Sequence, residues 1–386
     1  MKSQSDMTEN PSFLTEQLIT YIGNKRLLLD FIGQAIKIVQ DDLGKEKLTC
    51  FDIFSGSGIV SRYLKGFSSY LVANDLENYA KIINSCYLSN KSEINIEELK
   101  SLHEKLVSQT KKDIEFSEKA GFISELYAPK NENDIISGER CFYTPYNAKY
   151  IDCARQNIEK FIPKNYKKFF IAPLLSQASV HANTAGIFKG FYKNSKTGLG
   201  QFGGNGKDAL SRICRKIELP FPVFSENECK IKIFQSEANS LAQTSELYEN
   251  LENGKFDLVY MDPPYNQHPY GSNYFMLNLI SDYKRPDTEN ISRVSGIPRN
   301  WNRSFYNKRK KAAETFRDLI KNIKAKYIII SFNSEGFIEK EEMEKMLKEF
   351  GSVKILESKY NAFRGSRNLR NRKIHVSEYL FILKKD

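Results

Sequence analysis

The sequence predicts an α/β protein whose sheet has seven strands and whose chain is interrupted once by a long insertion. Three observations predict it. Short apolar runs at 48–54, 70–73, 229–234, 256–261, 327–332, 352–356 and 378–383 are separated mostly by segments with helical apolar spacing. Residues 91–224 break that rhythm with charged helix-like stretches and a glycine-rich segment. Several of the runs end in glycines or an acid, and the carboxyl tips of strands are where open α/β sheets hold ligands.

Composition narrows the functional classes. The 386 residues suffice for one large domain or two, and 58 Lys and Arg against 47 Asp and Glu leave a net charge of +11 that favours a polyanionic partner. The six cysteines form no CxxC pair and the four histidines have no metal-ligand spacing with them, which argues against a zinc site or a disulfide framework. The first residues are polar and no apolar run approaches the ~20 residues a membrane span needs. The expectation is a soluble protein of a reducing, cytoplasmic compartment, with no metal and no membrane.

In chain order, Gly23-Asn24-Lys25 precedes a segment of helical periodicity at 27–39, so it sits at a helix start. Backbone N–H groups and a lysine there can hold a carboxylate or phosphate, the alternative being an ordinary helix start. The run 48–54 leads into Ser55-Gly56-Ser57-Gly58 and a helix-like segment, and two glycines at such a turn allow a ligand to approach the backbone. Ser61 stands where the dinucleotide fingerprint needs its third glycine, against NAD or FAD, and no phosphate-loop motif is present. Asp75 follows at the tip of the second run, where an acid can accept two ribose hydroxyls; a helix-capping role is the alternative.

The glycine-rich part of the insertion, residues 186–216, carries Lys189, Lys193, Lys196, Lys207, Arg212, Arg215 and Lys216 against Asp208, with Phe188, Phe191, Tyr192 and Phe202 between them. Flexible backbone, cations and aromatic faces suit a nucleic-acid groove, the alternative being a solvated loop. Two later stretches, 299–311 and 359–373, hold Arg303, Arg364, Arg367, Arg370 and other cations with no acid. Like charges at that density repel unless an anion lies nearby. Their aromatics are Trp301, Phe305 and Tyr306.

The run 256–261 stops at Asp262-Pro263-Pro264-Tyr265-Asn266. Pro264 has no N–H and forces Pro263 to be extended, so carbonyls here are not consumed by a continuing helix. An aspartate beside such a carbonyl makes two acceptors for an amino group with two hydrogens, and Tyr265 offers a face on which a ring can stack. A rigid turn closing a strand is the alternative.

Taken together, Tyr21-Ile22-Gly23-Asn24-Lys25, Phe54-Ser55-Gly56-Ser57-Gly58, Asp75 and Asp262-Pro263-Pro264-Tyr265 resemble, in that order, the motifs of the alpha group of DNA N6-adenine methyltransferases, which includes Dam-like enzymes and many restriction-modification methyltransferases. The stretch from Tyr265-Asn266 to Asn273-Tyr274 is similar to a restriction-associated subset. The resemblance implies a Rossmann-like class I fold with a seven-stranded mixed sheet, S-adenosylmethionine as methyl donor, and adenine flipped out of double-stranded DNA as acceptor. It implies a cofactor half at 1–95, a target-recognition domain at 96–224 and a catalytic half at 225–386. Catalysis falls to Asp262, Pro263, Pro264 and Tyr265. Cofactor contacts fall to Tyr21, Asn24, Lys25, Asp52, Phe54, Ser55, Gly56, Gly58, Asp75, Glu237 and Asp262, with Glu237 departing from the family's usual aspartate. The basic clusters add Lys189, Lys193, Arg212, Arg303, Arg364, Arg367 and Arg370 as DNA contacts, and a cognate restriction endonuclease is the implied companion. An RNA or protein methyltransferase of the same fold, or a non-catalytic nucleic-acid-binding protein, remain alternatives, although the former commonly carry asparagine before the prolines and N4-cytosine enzymes serine.

Overall fold

A computed structural model describes residues 9–116, 121–204, 206–207, 209–264, 267–334, 336–361 and 375–386. Helix α1 (Pro11–Thr15), α2 (Leu29–Leu43), β1 (Leu48–Asp52), α3 (Ile59–Lys65), β2 (Ser68–Asp75) and α4 (Asn78–Tyr87) come first. Then come α5 (Ile96–Phe116), α6 (Phe122–Tyr127), α7 (Pro145–Phe161), α8 (Lys168–Val180) and α9 (Leu210–Cys214). The chain returns to the sheet with β3 (Lys230–Gln235), α10 (Ala238–Leu241), β4 (Phe256–Met261), α11 (Tyr270–Asn273) and α12 (Phe275–Asp282). It ends with α13 (Arg309–Asn322), β5 (Ala325–Asn333), α14 (Lys340–Leu347), β6 (Gly351–Asn361) and β7 (His375–Lys385). Each of the seven expected runs is a strand.

The strands form one sheet in the order β3-β2-β1-β4-β5-β7-β6. β1 to β5 pair in parallel, whereas β7 runs antiparallel to both β5 and β6. This is the mixed seven-stranded sheet of the class I methyltransferase fold. The chain leaves β1 toward β2 on one side and β4 lies on the other, so the crevice between diverging connections opens at the carboxyl tips of β1 and β4.

Side chains alternate between two cores, as period-two strands require. On one face Cys50, Leu71, Ala73, Leu258, Ile329, Leu380 and Ile382 pack under α2, whose Ile32, Ala35, Ile36 and Val39 recur at the spacing of one helical face. α2 stops at Gly44, which takes φ +62° and donates back to the last turn. On the other face Phe51, Val72, Val259, Ile328, Ile330 and Phe381 pack on Phe316, Leu319 and Ile320 of α13 and on Met343 and Leu347 of α14.

The insertion does not stand apart from the sheet domain. Its Leu106, Ile151, Phe170 and Leu174 share a single core with Tyr79 and Ile83 of α4 and with Phe275, Met276 and Ile280 of α12. α7 begins as a capped helix, with Thr144 Oγ1 accepting from the Asn147 N–H and Pro145 in the first turn. From the same helix the buried Arg155 donates to the carbonyls of Ile280 (2.7 Å) and Ser281 (3.4 Å), closing the carboxyl end of α12.

Candidate active site at the carboxyl edge of the sheet

The first sheet face breaks its apolar alternation at the carboxyl edge. Asp52, Asp75, Asp262, Ser331 and Glu378 stand on β1, β2, β4, β5 and β7, or directly at their tips, in phase with the apolar residues of that face. Above them opens a cleft lined by the loop after β1, the tips of β1, β2 and β4 and the turn before α2. Every residue expected to contact the cofactor lines it except Gly58.

The loop after β1 is bound to the tip of β2. Ser55 N–H donates to Asn74 O (2.9 Å), and Gly58 N–H turns back to Ser55 O (2.7 Å). Asp75 accepts from the N–H groups of Gly56 (2.8 Å) and Glu77 (2.9 Å). Burial raises its pKa, and these amides offset part of the rise. The glycines serve the fold as well. Gly56 (φ +49°) and Gly58 (φ +77°) take left-handed backbone, and the space where a Cβ would stand is taken by the Tyr21 ring (2.7 Å) and by Asn84 (2.7 Å). Their bareness accommodates the protein's own side chains, and Gly56 also lines the cavity.

Tyr21 is itself held in a stack, with its ring centroid 5.0 Å from that of Tyr270 and 4.9 Å from that of Tyr274. Both partners also hold the next residue: Ile22 N–H donates to Tyr274 Oη (2.8 Å) and Tyr270 Oη donates to Ile22 O (3.1 Å). Gly23 turns the chain at φ +75° and brings Lys25 beneath the cavity. Lys25 is 3% exposed, with its ammonium 3.2 Å from Asp262 and 3.0 Å from Glu378. Ser331 Oγ donates to the same Glu378 oxygen at 2.6 Å. Burial pushes the Asp262 carboxyl up to about 6, against the pull of Lys25 and with the help of Glu378. Asp52 is pushed up to about 7 by burial, although Ser61 Oγ donates to one of its oxygens at 2.6 Å. No donor among the described residues reaches the other oxygen.

At the opposite wall, Phe54 meets Tyr306 edge-on at 5.2 Å, and Tyr306 Oη donates to Asn239 (2.7 Å). Glu237 caps α10, accepting from the N–H groups of Asn239 and Ser240. Glu77, 3% exposed, accepts from Asn278 and Asn302 and is pushed up to about 7 by burial. The lining thus holds Asp52, Asp75, Glu77, Glu237 and Asp262, with Lys25 as the sole cation among the described residues. A cavity with that imbalance, with aromatic walls and free acceptors, suits a ligand that brings a positive charge and hydroxyl donors.

Asp262 and Pro264 line the cavity at the end of β4, and Pro263 is buried beside them; Tyr265 lies outside the described residues. Of the expected DNA contacts, Lys189, Lys193 and Arg303 are exposed, Lys193 over the Phe191 ring (5.4 Å) and Arg303 over Trp301 (4.7 Å). The segment bearing Lys189 is anchored next to the cavity, since Phe188 N–H donates to Asn273 O at 2.7 Å. Arg212 is placed differently from the expectation: its guanidinium donates to the carbonyls of Val180, Ala182 and Thr184, closing the end of α8. Phe188 and Tyr306, expected among the nucleic-acid aromatics, are buried, 2% exposed each. Arg364, Arg367 and Arg370 lie outside the described residues. Tyr270, Tyr274, Glu77 and Glu378 had not been picked out. The pair at 270 and 274 has helical i, i+4 spacing, and Glu378 is an acid in phase with Leu380 and Ile382; both were available signals.

A methyltransferase-type sheet with an acid-lined pocket at its switch point defines the class, and the comparisons define the family. Residues 21–346 match the D12 class N6 adenine-specific DNA methyltransferases, and the chain belongs to that family. It is 30% identical over 376 residues to the type II methyltransferase M.NlaIII of Neisseria lactamica, covering 95% of this chain and 99% of that one. It is 29% identical over 372 residues to the type II methyltransferase M.CviAII of Paramecium bursaria Chlorella virus 1, covering 95% and 98%. It is also similar to the type II methyltransferase M.FokI of Planomicrobium okeanokoites, 27% identical over 95% of this chain and 52% of that one. Among the described residues no helix is long and apolar enough to cross a membrane, and no three His, Cys, Asp or Glu side chains converge as metal ligands.

Proposed function

We propose that this chain transfers a methyl group from S-adenosylmethionine to the N6 amino group of an adenine flipped out of double-stranded DNA, as the modification enzyme of a type II restriction-modification system with a cognate endonuclease. The observation that carries this reading is Asp262 at the tip of β4, lining the same acid-rich cavity as the loop after β1 and steadied by Lys25. S-adenosylmethionine fits that cavity by charge and by donor set: its sulfonium and ammonium meet the excess of carboxylates, and its ribose hydroxyls are donors for an acid such as Asp75. When bound it supplies an electrophilic methyl, whose bond to sulfur breaks with the electron pair left on sulfur.

The protein's own share is positioning and electrostatics. Asp75, the loop at Phe54 to Gly58 and Glu237 would hold the nucleoside end, and Tyr21, Asn24 and Lys25 the amino-acid end. Extracting the base from the duplex costs a few kcal/mol, which stacking on the aromatic of the Pro-Pro-Tyr motif, Tyr265, repays in part. Asp262 and the Pro263 carbonyl would each accept one N6 hydrogen, turning the nitrogen lone pair out of the ring plane as positive charge develops on it. The amine becomes acidic only once methylated, so the carboxylate acts after the bond has formed rather than before. The inserted domain, with Lys189 and Lys193 exposed, serves target recognition, and Arg303, Arg364, Arg367 and Arg370 serve the phosphates.

The test is to incubate the purified protein with tritium-labelled S-adenosylmethionine and duplex DNA, digest the DNA and separate the nucleosides. Label is expected in N6-methyladenosine of the deoxy series. Label in methylcytosine, or only in RNA or protein offered in parallel, overturns the proposal.

A further inference from the structure

Glu378 lies on β7, one strand beyond the neighbour of the catalytic strand, at a position that the strand's alternation assigns to the apolar core. Leu380 and Ile382 on the same face are buried in that core, and Glu378 is 0% exposed. A carboxylate there is costly unless it is paired. Its partner is the Lys25 ammonium at 3.0 Å, which stands 3.2 Å from Asp262 on its other side. Asp262 alone would neutralise Lys25. With Glu378 as a second acid on Lys25, the ammonium is shared and the trio holds one more acid than base. Ser331 Oγ fixes one Glu378 oxygen at 2.6 Å, and the other has no donor among the described residues. The groups facing this cluster are Lys25 from the turn before α2, Tyr260 and Asp262 from β4, Asp52 from β1 and Ser331 from β5.

We infer that Glu378 is a positioning residue for methyl transfer, sharing the Lys25 ammonium so that the Asp262 carboxylate is the more basic acceptor toward the amino group that it orients and whose proton it receives. The inference rests on the adenine-methylation reading of the site. The balance is simple: N6 gains a carbon, the nitrogen becomes a positively charged secondary amine, and one of its protons passes to the Asp262 carboxylate. A fully neutralised Asp262 would be the poorer acceptor. Glu378 therefore acts through Lys25 and through its own charge, without touching the substrate. The direction agrees with the raised pKa of Asp262, to which Glu378 contributes after burial.

The test is the pH profile of single-turnover methyl transfer to duplex DNA, between about pH 5 and 9, for the wild type, Glu378→Gln and Glu378→Asp. Removing the Glu378 charge takes away a carboxylate that raises the Asp262 pKa and competes for Lys25, so the acid limb of Glu378→Gln moves to lower pH by at least half a unit while its plateau rate falls several-fold. Glu378→Asp keeps the charge and returns the limb toward the wild-type position. If Glu378→Gln does not fold, Glu378→Leu removes the charge with a side chain suited to a core position beside Leu380, and the same downward shift is expected. A limb that stays at the wild-type pH, or moves up, overturns the inference even if the rate falls, because loss of structure alone lowers a rate without moving that limb. A wild-type protein that methylates no adenine removes the functional reading itself, and the inference with it.

Discussion

Lys25 is almost fully buried between Asp262 and Glu378, and three acids of the same cavity lining, Asp52, Glu77 and Asp262, have all been moved toward neutrality by burial. This arrangement has a stability consequence that can be read without any ligand. Asp52 titrates near 7 in the folded protein and near ~3.9 unfolded, so its contribution to stability is fully present below ~4 and is lost as pH rises through about 7. The melting temperature of the ligand-free protein is therefore expected to carry a falling contribution between ~4 and about 7 in pH, and Asp52→Asn to remove it. The same slope in the variant would show that Asp52 is ionised in the folded state throughout. At this scale the sequence was partly legible. Asp262, Asp75 and Lys25 could be read because each ends or begins a local pattern, an apolar run or a helical one. Glu378 could not be read so directly, because its partner is Lys25, more than three hundred residues away, and only the folded sheet brings them together.

The loop after β1 shows what an element adds to its residues. Its two glycines were legible as a strand-to-helix turn, but their physical reason was not, since Tyr21 and Asn84 occupy the space beside them. A Cβ at Gly56 would stand 2.7 Å from the Tyr21 ring at φ +49°, and an L-residue in left-handed backbone costs ~1–2 kcal/mol before that clash is counted. Gly56→Ala is thus expected to lower the melting temperature and to weaken S-adenosylmethionine binding by displacing Tyr21 from its stack with Tyr270 and Tyr274. Calorimetric titration of the folded variant checks this, and wild-type affinity would show that the stack does not shape the pocket. All seven strands were legible because a short apolar run bounded by turn or helical segments is a local signal. Their order and the reversal of β7 were not, because pairing is decided between distant segments. The aromatics interleaved with the basic clusters suggested nucleic-acid surfaces, whereas Phe188 of the insertion and Tyr306 of the stretch 299–311 are buried in two different cores, and Arg212 closes a helix.

Across the whole molecule, the insertion and the sheet domain form one packed body, although the sequence presents them as a domain within a domain. Arg155 of α7 holds two carbonyls at the end of α12, and each buried carbonyl left unpaired costs ~1–3 kcal/mol. Arg155→Met is expected to lower stability by that order and to leave a single unfolding transition; a separate, earlier transition of the insertion in calorimetry would mean that the shared core does not couple them. On the proposed reading the exposed cations divide by role, which salt can reveal. Arg303→Ala is expected to weaken binding to cognate and altered DNA alike and to make the slope of log affinity against log salt shallower by ~0.9, as loss of one phosphate contact does. A changed ratio between the two DNAs would instead make Arg303 a reader of sequence. On the proposed reading Asp262 acts on the amino group while the rest of the cavity holds the donor, and one comparison separates the two roles. Asp262→Ala and wild type are measured side by side for S-adenosylmethionine affinity and for single-turnover methylation of adenine in duplex DNA. Affinity close to wild type is expected, with transfer reduced more than tenfold, a loss above ~1.4 kcal/mol in transition-state stabilisation. Transfer kept within tenfold of wild type would contradict that reading.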